Sequence, residues 1–116
     1  MSDEELYYQY NQLENEKSDL VSQKEKGIRE LEETDYAMSV RSKQLAELLQ
    51  DFGETDTKIN QYIYDCQDTI MFAQKRNLES IDTIEEKVKK RYCEIIGEQE
   101  KISICIQKMQ EENKEQ

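Results

Sequence analysis

The chain has 116 residues, 37% charged and 35% hydrophobic, with 16 basic groups against 27 acidic ones for a net charge of −11. That length suits one domain and excludes a multidomain enzyme, and the absence of His removes Ser–His and Cys–His catalysis, His-ligated metals and the usual general base near neutrality. With no Pro, no Trp and three Gly, a turn-rich sandwich or barrel is excluded too, and the acidic balance disfavours nucleic acid and anionic lipid.

Ser2-Asp3-Glu4-Glu5 reads as a capping box that opens the first helix, with early acid suited to the positive end of the helix dipole. Leu6, Tyr10, Leu13 and Leu20 then recur at heptad spacing, with Lys17 and Lys24 on intervening seam positions. The stripe slips by about one residue near Gly27 and resumes as Ile28, Leu31, Asp35, Met38, Ser42, Leu45, Leu49 and Phe52. Alternating steps of three and four mark a helix seam and not a strand. Thr34-Asp35 is its weakest point, where a kink is expected.

Asp51-Phe52-Gly53-Glu54-Thr55-Asp56 is the one strong break. Gly53 suits a turn just past a helix end, and Thr55 or Asp56 can cap the next helix. Beyond it Ile59, Ile63, Cys66, Ile70 and Ala73 continue a seam that Asn77 and Ser80 interrupt. A second slip leads to Ile81, Ile84, Val88, Arg91, Ile95, Glu98, Ile102, Cys105 and Met109. The predicted organisation is a single domain over 1–116: helix 4–50, turn 51–56, helix 57–111 and a frayed polar tail 112–116. Such helices would span roughly 70 and 80 Å. A short connection makes the fold class all-α, a long antiparallel helical hairpin of coiled-coil type.

A hairpin has one seam and no enclosed core, yet Tyr62, Met71, Phe72, Tyr92, Ile96 and Ile106 flank the second seam and widen the apolar stripe. This predicts association into a bundle of four or more helices completed by a partner, as an oligomer or hetero-oligomer. The partner-binding candidates are Ile28, Leu31, Met38, Leu45, Leu49 and Phe52, with Ile63, Ile70, Ile81, Ile84, Val88, Ile95 and Ile102 opposite. Some of them close the hairpin and the rest face the partner. The Tyr7-Tyr8-Gln9-Tyr10 patch reads either as an aromatic anchor or as the edge of the seam.

No chemical site is expected: no catalytic residue, cofactor or metal. Acidic pairs such as Glu32-Glu33 read as a solvated face. Lys87, Lys89, Lys90 and Arg91 form a basic cluster expected to be neutralised by i,i+4 pairs such as Glu86–Lys90 and Lys90–Glu94. Arg91 also falls on a seam position, which makes it a candidate charge for specifying register or partner. Cys66, Cys93 and Cys105 lack C-x-x-C spacing and suit free thiols in a reducing cytoplasm. Neither a Sec signal peptide nor a membrane span is expected.

The two-helix pattern with a central Gly break resembles the small helical hairpins of type VII secretion, and within them the acidic coiled-coil helper proteins encoded beside LXG toxins. The resemblance covers the whole chain and rests on size, helical pattern and the break. The W-x-G turn of the wider family is absent, because Phe52 stands directly beside Gly53. The export pattern Tyr-x-x-x-Asp/Glu matches at Tyr10–Glu14 and Tyr64–Asp68, about as often as chance gives, and never after the second helix. The resemblance implies a targeting chaperone rather than a WXG substrate. Such a helper binds the helical N-terminal domain of the toxin, supports its recruitment for export, and works in the cytoplasm or leaves with its cargo. The toxin domain and a second small helper are the implied partners. From the residues alone the expectation is a non-enzymatic adaptor, and the competing reading is a homodimeric structural coiled-coil scaffold. Polar seam residues at Lys17, Lys24, Asp35, Ser42, Asn77 and Arg91 favour a specified partner.

Overall fold

The computed structural model describes residues 2–52 and 57–115, with side chains through Lys114. Two helices account for all of these residues except Ser2: α1, Asp3–Phe52, of 50 residues, and α2, Thr57–Glu115, of 59. No strand occurs among the described residues. The protein is an all-α helical hairpin, and none of the described helices is long and apolar enough to cross a membrane.

Helix α1 opens as its sequence dictates. The Glu5 amide donates to Ser2 Oγ at 3.3 Å and the Leu6 amide to the Ser2 carbonyl at 3.2 Å, beside the acidic first turn of Asp3, Glu4 and Glu5. α1 runs through Thr34-Asp35 as one helix, and Thr34 Oγ1 donates back to the Glu30 carbonyl at 3.0 Å, so the weak point is absorbed without a break. It also continues through Asp51 and Phe52, which the sequence places in the turn. Gly53, Thr55 and Asp56, the turn and capping candidates, lie outside the described residues. α2 likewise continues over 112–115, where fraying is expected. Glu, Lys and Gln are good helix formers, and Lys114 in the last turn complements the negative end of the dipole.

The contacts fall into two segments, each a pair of antiparallel helix stretches. The first joins residues 1–25 with 85–116. Leu6, Ile95 and Gln99 are buried there, and Tyr10, Leu13, Leu20, Val88, Ile102, Ile106 and Met109 are half-buried. The second comprises residues 26–84. Ile63 is buried in it, with Ile28, Leu31, Met38, Leu45, Leu49, Cys66, Ile70, Ala73, Ile81 and Ile84 half-buried. These stripes are seams between two helices, and most of their apolar side chains keep part of their surface in water, Ile95 being fully buried.

The α1 seam shifts where the sequence places its slip. Leu20, Lys24 and Ile28 make two successive steps of four, and Gly27 beside them is half-buried. A Cβ on Gly27 would stand 3.9 Å from Ile84 Cδ1. In α2 the slip lies elsewhere than expected. Half-buried or buried positions run 63, 67, 70, 74, 77, 81, 84, 88 and 91 without interruption, so Asn77 belongs to the seam together with Gln67 and Gln74. Two successive steps of four come later, from Arg91 to Ile95 to Gln99. As a result Gln99 and Ile106 turn inward, whereas Glu98 and Cys105 are exposed; Ile59 and Ser80 are exposed as well.

Candidate interaction surface

In the first segment the seam is held by charge as well as by apolar contact. Arg91 Nε donates to Glu16 Oε1 at 2.8 Å and Nη2 to Glu16 Oε2 at 2.9 Å, a bidentate fork from α2 to α1. Nη1 approaches Glu98 at 3.4 Å and Glu94 at 3.5 Å. The fork holds the Glu16 carboxyl below its usual range and raises the guanidinium above its own. Two turns away, the buried Gln99 amide donates to Glu14 Oε2 at 2.9 Å and to the Tyr10 carbonyl at 3.4 Å. Lys17 Nζ closes on Glu14 at 3.0 Å while lying 5.7 Å from the Tyr92 ring centre. Glu14 is thereby lowered, first by the Gln99 hydrogen bond and then by Lys17, whose own value is raised by Glu14.

Arg91 is therefore occupied inside the hairpin, by a carboxylate of α1. The flanking lysines are not neutralised as expected: among the described residues Lys87, Lys89 and Lys90 form no ion pair, and Glu94 turns to Arg91. The Tyr patch divides. Tyr10 is half-buried at the seam; exposed Tyr7 accepts from Gln110 Nε2 at 3.4 Å, and exposed Tyr8 accepts from Gln12 Nε2 at 2.6 Å.

The sequence-derived interaction residues occupy unequal positions. Ile28, Leu31, Met38, Leu45 and Leu49 of α1, and Ile63, Ile70, Ile81, Ile84, Val88, Ile95 and Ile102 of α2, are buried or half-buried along the seams. Their burial comes from closing the hairpin. Phe52 departs from this set and is 47% exposed. Fifteen large hydrophobic side chains remain exposed among the described residues, including Tyr36, Leu48, Tyr62, Met71, Phe72 and Leu78.

Part of this surface is concave. In the second segment an open groove of about 670 Å³ runs along one flank of the seam. Leu45, Cys66 and Ile70 form its floor, and Leu48 and Tyr62 stand on its walls. Arg41 and Gln44 rim the α1 side, Asp65 and Thr69 the α2 side. Helix periodicity explains the grouping: residues 41, 44/45 and 48, like 62, 65/66 and 69, recur every three or four and share one face. Sequence reading flags Tyr62 as widening the stripe but misses Leu48 and Arg41, which lie one position off the seam. The larger hollow of the first segment, about 780 Å³, is lined mostly by polar residue types, Gln9, Gln12, Asn15, Glu16, Asp19, Glu98 and Lys101, around Leu13 and Ile102.

Cys66, Cys93 and Cys105 are free thiols, and no cluster of three metal-ligating side chains occurs among the described residues. Comparison with protein-family models, curated proteins and solved structures finds no match to the chain.

Proposed function

We propose that the chain is a non-enzymatic adaptor that uses the apolar flanks of its hairpin to hold a helical partner. One observation carries the reading: only Leu6, Ile63, Ile95 and Gln99 are buried among the described residues, against fifteen exposed large hydrophobics. Grouped on a flank, as Leu48 and Tyr62 are beside the groove, such side chains offer an interaction face. The resemblance to LXG-associated helpers makes the helical N-terminal domain of such a toxin the partner, and delivery to type VII secretion from the cytoplasm the purpose.

The test is a tagged pull-down from the native host followed by co-expression of the recovered protein. A larger protein with a long helical N-terminal domain should co-elute with this chain. Leu45→Asp or Ile84→Asp, each on a seam, should abolish binding or folding. Recovery of this chain alone as a stable homodimer would replace the adaptor by a structural coiled coil.

A further inference from the structure

The groove of the second segment carries an asymmetry that bears on what it holds. Arg41 sits on its α1 rim and is exposed, and among the described residues its guanidinium makes no ion pair and no hydrogen bond. Asp65 on the opposite rim accepts from Gln61 Nε2 at 3.0 Å, a neutral amide, so it too meets no cation. Between them lie Leu48, 44% exposed, and Tyr62, 69% exposed, over a half-buried apolar floor. The rim charges cancel, in a chain whose net charge is −11. From residue 41 to 48 the groove follows about two helical turns, or roughly 10 Å, the length over which a docked helix presents anchors at i, i+3/i+4 and i+7.

We propose that this groove is the seat of an amphipathic helix of a partner protein, with an apolar stripe on Leu48 and Tyr62 and a carboxylate of the partner paired to Arg41. This deepens the adaptor reading and rests on it. The opposite signs on the two rims set the roll of the docked helix: its acidic edge lies toward α1, and its neutral or basic edge toward Asp65 on α2. Arg is enriched at interface hot spots because its planar fork binds carboxylates bidentately while its stem covers apolar surface. A second copy of this chain is the poorer occupant, since pairing two chains of −11 brings like net charges together.

Site-specific photocrosslinking in the native host tests the seat. The full chain carries p-benzoylphenylalanine in place of Leu48, or in place of Lys43 on the outer face of α1 as the control. Ultraviolet light should join position 48, and not position 43, to a helical segment of another protein with Asp or Glu within a turn of the crosslinked residue. Arg41→Glu should reduce the yield about tenfold by setting like charges together, and Arg41→Lys should retain most of it. Arg41→Glu should melt as the parent does, because no intrachain partner is lost. A crosslink to a second copy, or a yield indifferent to Arg41→Glu, overturns the proposed occupant. Crosslinks from 43 but not 48 overturn the groove and leave the adaptor reading intact, whereas no crosslink at either position with an empty pull-down overturns both.

Discussion

Arg91 lies where a heptad expects a hydrophobe, and its fork onto Glu16 makes that substitution informative. Sliding α2 by one turn would move the guanidinium off its carboxylate, so the pair favours one register over its neighbours. Both groups are part-exposed, so the contribution is modest and sensitive to salt. Glu16→Gln should lower the thermal midpoint at neutral pH. Because the Glu16 carboxyl is depressed in the folded chain, its stabilisation is complete above the ordinary carboxylate range and disappears as pH falls through the folded-state value. The difference in midpoint between parent and Glu16→Gln, followed by circular dichroism, should therefore shrink on acidification; a constant difference would show that the fork contributes no proton-linked stability. Ile95 makes the apolar counterpart, since it is fully buried. Ile95→Ala should cost about 2–4 kcal/mol in urea unfolding, whereas Phe72→Ala, at an exposed site, should stay within about 0.5 kcal/mol.

The two helices show how far a seam can be read from residue type. Most α1 seam positions, and the slip at Gly27, are legible because apolar residues mark the phase on both sides. α2 is harder to read. Gln67, Gln74 and Asn77 hold seam positions with amides, and Gln74 Nε2 donates to Ser39 Oγ at 2.9 Å and to the Asp35 carbonyl at 3.4 Å. A polar residue set into the seam looks, in sequence, like one turned to water. The run therefore reads as broken where it is continuous, at Asn77, whose amide nitrogen is buried there without a hydrogen-bond partner among the described residues. The same ambiguity hides Gln99, whose burial depends on acceptors more than eighty residues away. The groove is less legible still, because Arg41 and Leu48 acquire their meaning only from the opposite helix. The glycines give a cleaner test at this scale. A methyl on Gly27 would make an ordinary contact with Ile84, and on Gly97 would meet nothing within 4 Å. Gly27→Ala and Gly97→Ala should each raise stability by about 0.5–1 kcal/mol through helix propensity alone, measured by urea unfolding. A loss at either position would show that helix propensity does not govern these sites.

At the scale of the whole molecule, surface and charge pull against each other. Fifteen large hydrophobic side chains stay exposed among the described residues, and burying them would drive association, while a charge of −11 on every copy opposes association with itself. Salt separates these effects, because screening removes repulsion between copies and leaves apolar burial in place. Sedimentation equilibrium of the purified chain should show weak self-association at low ionic strength, strengthening as salt is added. Its thermal transition alone should be broad, and should sharpen and rise in midpoint when the partner is present, since binding only the folded state stabilises it by mass action. A monomer at every salt concentration, with a sharp transition of its own, would mean that the seam of two helices suffices. The exposed apolar flank would then need an explanation other than a missing helix.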